Sequence, residues 1–227
     1  MALTATLLGE LLKRIEPDKA ICSLGYPDIT ADFAPIRERL GERVLEVKWR
    51  EDSETICKRH GIPKRDIPDS ESLFEAFDCT LDVFDIVQER GTEIVIDLNY
   101  PVPDNAVAEF DYVLDVGTLE HCFNAPQALY NMASLAKVGG YVLHENPFNW
   151  GNHGFWNLNP TLFEDFYTSN GFEVESCWLC PKGTQDAYEA PRTKRFVYTQ
   201  GEANLVTVAR RVKEVEFSFP TQTKYRK

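Results

Sequence analysis

Two apolar, β-branched runs separated by one helix length constrain this chain more than any other feature. The first is residues 110–121, FDYVLDVGTLEH, in which a strand-like run ends at Gly117 and gives way to a polar helix start. The second is residues 137–145, KVGGYVLHE, where a Gly139-Gly140 turn leads into a strand over 141–144. Residues 126–136 between them read as a helix. Strand, helix and strand at this spacing make a βαβ unit, which implies a parallel sheet. Open sheets of that kind bind ligands beyond the carboxyl ends of their strands. Glu120, His121, His144 and Asn146 all fall at such ends.

The remaining pattern extends this α/β reading in both directions. An amphipathic N-terminal helix places Leu7, Leu8, Leu11, Leu12 and Ile15 on one face. A strand over 19–25, a turn through Gly25-Tyr26-Pro27-Asp28 and a helix over 33–40 follow, and 43–49 alternates like a strand. Residues 50–77 are charged and irregular, with two short helices expected at 53–60 and 70–77. They read as an insertion over the sheet, either a lid or a decoration, with His60 as a surface histidine. Strands over 81–86 and 92–98 carry Asp85 and Asp97 towards their ends. After the βαβ unit comes a helix over 160–170, with Gly171 as its C-cap. Strands over 172–180 and 204–212 are then expected to pair as an antiparallel hairpin at one sheet edge. At 227 residues the chain suits one α/β domain with a core that needs no staples.

A net charge of −12 argues against a nucleic-acid partner, since a phosphate backbone meets repulsion over most of the surface. The mildly basic tail (Arg210, Arg211, Lys224, Arg226, Lys227) reads as a solvated stretch. No apolar run approaches the ~20 residues of a membrane-spanning helix. Glu10 interrupts the apolar part of the N-terminus, so no secretory signal is expected and a cytoplasmic location is. The six cysteines are then expected to be reduced. Cys177-Trp178-Leu179-Cys180 is formally a CxxC, but it lies in an apolar strand and has no second pair.

Acids at strand ends beside glycine turns can accept hydrogen bonds from ribose hydroxyls or an adenine amino group. Asp85 and Asp97 are placed for that, although each is equally able to cap the next turn. Dinucleotide sites need glycines where the backbone approaches a pyrophosphate. Here Gly25 stands without such companions and is followed by Tyr26-Pro27, which counts against NAD or FAD. His121 and His153 are side chains readily poised as bases near neutral pH. The loop 146–159, NPFNWGNHGFWNLN, interleaves Asn146, Asn149, Asn152, Asn157 and Asn159 with four aromatics and His153. Amides on aromatic platforms suit a polyhydroxylated ligand. Asn and aromatic residues also shape and anchor loops, but their density here favours a binding role.

Residues 110–121 and 137–144, with their FD-apolar…LEH and K-x-GG patterns, resemble class I S-adenosylmethionine-dependent methyltransferases around strands four and five. The later run with Asn152-His153-Gly154-Phe155, Pro160, Phe163 and Asn170-Gly171-Phe172 is similar to the small-molecule branch met in polysaccharide and natural-product pathways. The resemblance covers roughly residues 93–172, and residues 204–212 match the family's reversed seventh strand. Its first motif departs: the family has an acid followed by G-x-G-x-G, and this chain has Ser23-Leu24-Gly25-Tyr26-Pro27-Asp28.

The resemblance implies a mostly parallel seven-stranded sheet with helices on both faces and an antiparallel edge strand. It implies S-adenosylmethionine as cofactor, with Leu24, Gly25 and Tyr26 near its methionine part. Asp85, or alternatively Glu46, would meet the ribose, and Asp97 with Leu98 the adenine. Val116, Gly117 and Thr118 would line the floor, and Glu120-His121 would lie near the sulfonium. A sugar-derived or nucleotide-linked acceptor, such as a glycan precursor, would enter beside His144, Asn146, Asn149, Asn152 and His153. His153, His121 and then His144 are the candidate bases for O-methylation. A methyltransferase-fold binding protein without catalysis is the alternative, and a nicotinamide enzyme a more distant one. No metal is expected, because no recognised ligand spacing is present, although Glu120-His121 and His144-Glu145 could join an unforeseen site.

Overall fold

The computed structural model describes residues 2–184 and 186–226, so Met1, Gln185 and Lys227 of the basic tail lie outside the described residues. In chain order its elements are β1 (Ala2–Leu3), α1 (Ala5–Leu12), β2 (Lys19–Leu24), β3 (Asp28–Ile29), α2 (Ala34–Leu40), α3 (Ser53–His60), α4 (Ser70–Ala76), β4 (Cys79–Asp85), β5 (Ile94–Val95), β6 (Phe110–Asp115), α5 (Ala125–Leu135), β7 (Ala136–Pro147), α6 (Pro160–Ser169), β8 (Phe172–Pro181), β9 (Tyr188–Glu189) and β10 (Ala203–Arg211).

The main sheet has eight strands in the order β5-β4-β2-β6-β7-β10-β8-β9. From β5 to β7 every pairing is parallel. β10 runs antiparallel to both of its neighbours, β7 and β8. The reversed strand therefore lies inside the sheet rather than at its edge, and the two-residue β9 is an eighth strand beyond the expected seven. A strand paired on both sides has all its backbone groups satisfied, which suits the run of buried residues from Leu205 to Ala209.

Strand alternation sends side chains to two apolar layers, as a sheet covered on both faces requires. Cys22, Leu24, Val113 and Val142 meet Leu129 and Met132 of α5 and Phe163 and Phe166 of α6. Ile21, Leu114 and Leu143 meet Leu7 and Leu11 of α1, Ile36 of α2 and Leu73 and Phe74 of α4. The N-terminal leucines were placed correctly by their periodicity. Cys177 and Cys180 fall in opposite layers, so this CxxC cannot close on itself or gather one metal.

Three further expectations change. Residues 43–49 do not form a strand: 41–46 coil into a 3-10 turn in which Arg43 pairs with Glu46 and Asp78. The strand expected over 92–98 shrinks to Ile94–Val95 at the sheet edge, where only one side has a partner. His60 is not a free surface side chain, since its Nε2 sits 2.9 Å from Oδ2 of the buried Asp28. Within residues 50–77, α4 belongs to the layer under the sheet, while the carboxyl end of α3 reaches the mouth described next.

Candidate active site

A cavity of about 730 Å³ opens above the carboxyl ends of β2, β4, β6 and β7, within the size range of small-molecule sites. Of the residues proposed from sequence, Gly25, Asp85, Asp97, Leu98, Val116, Gly117, Thr118, His121, Asn146 and His153 line it. Asp85 ends the strand next to β2 and accepts from the backbone of Ile86 at 2.7 Å through Oδ1. Asp97 accepts from the backbone and side chain of Asn99 at 2.9 and 2.7 Å. Of the two acids weighed for the ribose, Asp85 is on the cavity wall; Glu46 lies in the 3-10 turn, paired with Arg43.

Leu24, Tyr26, Asn149, Asn152 and His144 are not on that wall. Leu24 is fully buried, and its carbonyl accepts from the Thr118 hydroxyl at 2.6 Å. Tyr26 turns away to donate to Asp69 Oδ2 at 2.6 Å, with the Arg90 guanidinium 3.8 Å above its ring. Burial and the neighbouring Asp69 carboxylate push the Tyr26 phenol up to about 12. Asn149 bridges Gly201 and Ala203, tying the loop to the start of β10. Asn157 likewise holds the Trp150 backbone at 2.7 Å. Asn152 is exposed in the left-handed region, φ 58°. Asn149 and Asn157 thus serve as scaffold for the loop.

His144 is wholly buried, with Nδ1 2.7 Å from Asp115 Oδ2 and Nε2 2.6 Å from the Tyr167 hydroxyl. Both ring nitrogens have partners inside the protein, which fits a structural role better than that of a base facing substrate. Asp115 is the hub it serves. Its Oδ1 accepts from the backbone of Thr118 and Leu119 at 2.9 and 3.1 Å, and Oδ2 accepts from Asn146 at 2.9 Å. Burial opposes its ionisation, but the hydrogen bonds and charge offered by His144 and the other donors outweigh that and hold it below its ordinary value.

Glu120 is the residue around which the histidine side of the cavity is built. It is 1% exposed, and Asn146 Nδ2 bridges it to Asp115 with a 3.0 Å bond to Oε2. Burial, then the Asp115 charge, raises its carboxyl to about 8. Its other oxygen, Oε1, lies 3.5 Å from His153 Nε2 and 3.9 Å from His121 Nε2. Burial and the neighbouring His153 lower the His121 pKa, favouring the neutral imidazole. Gly117 has φ +92°, and a side chain there would press on Glu120 Oε1 at 3.2 Å.

Further residues complete the wall. Glu145 is buried, accepts from the Thr4 hydroxyl at 2.8 Å and from Asn204 at 3.0 Å, and burial raises it to about 7. Lys58, Arg59 and His60 come from the end of α3, and Trp150 and Lys182 from the far side. Glu120 was visible in sequence as part of the LEH turn, and Glu145 as the acid at the end of a strand. The residues from α3 gave no signal, because contacts distant in sequence, among them those of His60 and Arg59 with Asp28, bring them to the cavity.

No protein-family model and no curated protein matches this chain. Solved structures do. Over 92% of its length it shares its fold with TehB from Haemophilus influenzae, at 12% identity and a TM-score of 0.51, spanning 62% of that chain. It is also similar, over 92% of its length, to 1,6-didemethyltoxoflavin-N1-methyltransferase from Burkholderia thailandensis, solved with 1,6-didemethyltoxoflavin and S-adenosylhomocysteine bound. Identity there is 15%, the TM-score 0.51 and the share of that chain 78%. The chain spans about half the length of the citrinin polyketide synthase CMeT domain, which it matches at 11% identity and a TM-score of 0.46 (51% of that chain). The shared architecture is the Rossmann-like fold of class I methyltransferases.

Proposed function

We propose that this protein is an S-adenosylmethionine-dependent methyltransferase acting on a hydroxyl of a small polar acceptor. One observation carries the reading: the strand-end residues Gly25, Asp85, Asp97 and Val116–Thr118 share a single cavity with Glu120, His121, Asn146 and His153. Fold alone does not select a chemistry; this continuity between a half lined by strand-end acids and glycines and a half rich in proton acceptors supports one. Asp85 and the Asp97-Leu98 pair are assigned to ribose and adenine, and Gly25 with Val116–Thr118 to the methionine part.

The sulfonium is an activated methyl donor, so the protein has chiefly to align the reacting atoms and remove a proton. The acceptor oxygen–methyl bond forms as the sulfur–methyl bond breaks, leaving S-adenosylhomocysteine. The hydroxyl proton passes to the exposed His153 or His121, each facing Glu120 Oε1. Asn146 Oδ1, buried and without a hydrogen-bond partner among the described residues, is suited to an acceptor hydroxyl. Lys58 and Arg59 on the wall suit the phosphate of a nucleotide-linked sugar. Residues 50–61, which bring them there, act as part of a cover over the acceptor.

The test is calorimetry with S-adenosylhomocysteine, followed by methyl transfer to sugar-like acceptors. Micromolar binding is expected despite Tyr26-Pro27, whose tyrosine ring is held by Asp69 and Arg90 off the cavity wall. No detectable binding at high concentration overturns the reading and leaves a ligand-binding protein without this cofactor.

A further inference from the structure

We infer that Glu120, His121 and His153 form a binding site for one divalent transition-metal ion, with an open coordination position facing the cavity. The three side chains each present a ligand atom, and these atoms lie within 4.8 Å of one another. The two Oε1 to Nε2 separations, 3.5 and 3.9 Å, are close to the roughly 3.3 Å edge of a tetrahedron with metal–ligand bonds near 2.0–2.1 Å. Two imidazoles and one carboxylate are a donor set that suits zinc, iron or cobalt and not magnesium or calcium.

The surroundings match a built site. Neither imidazole has a side-chain hydrogen bond to another protein group among the described residues; their neighbours are Glu120 Oε1, each other and, for His153, the Trp150 ring. Glu120, by contrast, is held from behind: Asn146 Nδ2 occupies Oε2 and leaves Oε1 for the histidines. A hydrogen bond to the outer oxygen of a ligating carboxylate is the usual way such a ligand is oriented. The buried Asn146 Oδ1, which lacks a partner, offers an acceptor for a water or hydroxyl on the ion. Backbone contacts fix the ligands as well, because the amides of Phe155 and Trp156 donate to the Glu120 carbonyl at 2.8 and 3.3 Å. His153 is thereby carried on a loop docked onto its partner ligand.

This inference goes beyond the cofactor reading and does not rest on it. With the ion bound the imidazoles would be ligands and the ion would supply the acidity for an acceptor hydroxyl at the open position; in the metal-free protein they remain the proton acceptors proposed above.

The experiment is a titration of the chelator-treated full-length protein with cobalt(II) alone, read by visible absorption and calorimetry. One ion per chain is expected, with the absorption band of a four- or five-coordinate site. The half-exposed His121 and His153 can be replaced without opening the core, so His121→Ala and His153→Ala are expected to fold and to weaken binding at least tenfold each. Asn146→Ala is expected to weaken it by roughly tenfold or more through loss of ligand orientation. Absence of saturable binding, or binding unchanged in both histidine variants, overturns the site. S-adenosylhomocysteine binding measured on the metal-free protein reports the cofactor reading separately.

Discussion

A Cβ built on Gly154 would lie 2.7 Å from the carbonyl oxygen of Glu120 and 3.0 Å from its Cγ, so the aromatic loop rests on the 119–121 turn backbone to backbone. Two strand-end features 34 residues apart in sequence are brought together at that point, and His153 reaches Glu120 because its neighbour has no side chain. Gly154→Ala is expected to force the loop off the turn. The cost is about 1–3 kcal/mol, or roughly 2–12 °C in Tm for a chain of this size. Turnover falls while S-adenosylhomocysteine affinity holds. Wild-type melting and turnover in this variant would show that the loop does not lie where described.

His153→Ala separates chemistry from cofactor binding. Loss of a positioned proton acceptor is expected to lower kcat on the order of 10²-fold or more, with S-adenosylhomocysteine affinity unchanged by calorimetry. Equal loss of turnover and affinity would remove His153 from the acceptor side of the site.

His144 predicts a different phenotype. It pairs with the buried Asp115 at 2.7 Å, and removing it leaves that carboxylate without its main partner. His144→Ala is expected to cost on the order of 3–5 kcal/mol, seen as a large drop in Tm. A variant that melts like the wild type yet has lost turnover would restore His144 as a base.

Stability should fall as pH rises through the range where Glu145 loses its proton. Its folded pKa is about 7, against an ordinary value of 4.5, so the native chain binds more protons across that interval. The contribution is complete below pH 4.5, declines from there and is lost above about 7, to a total of about 3 kcal/mol at most. Glu145→Gln is expected to flatten the denaturant-midpoint profile over this window. A profile identical to wild type would mean that Glu145 is already ionised in the folded protein.

Asp85→Ala is expected to weaken S-adenosylhomocysteine binding by about 10–100-fold, the worth of hydrogen bonds to a charged group. Glu46→Ala, in the 3-10 turn, should leave it unchanged. The reverse result would reassign the ribose contact.

The order of strands and helices was legible because it is written in local pattern. Leu7, Leu8 and Leu11 recur at helical spacing and are buried together, and Tyr112, Val113 and Leu114 follow one another without a charged residue because both faces of β6 are covered. Failures fell where a partner, not a pattern, sets the conformation. Residues 43–49 alternate like a strand, but their pairing is limited to one antiparallel bridge between Trp49 and Pro68, and Arg43 instead closes a turn with Glu46 and Asp78. The place of β10 between β7 and β8 depends on which edges remain unpaired once the rest has folded, and alternation along one strand carries no record of that.

The same division holds for the site. The sequence by itself determined that acids, glycines and histidines stand at the ends of parallel strands, because strand and turn chemistry is local. Tertiary structure alone decided which of them act together. His121 and His144 are both candidate bases in sequence, with His144 ranked behind; burial against Asp115 and Tyr167 withdraws His144, and the cavity exposes His121. Glu120, His121 and His153 have no ligand spacing along the chain, yet they converge because Gly154 lets a distant loop settle on the Glu120 backbone. Side-chain convergence is a property of how elements pack, and packing is decided by contacts between residues far apart in the chain.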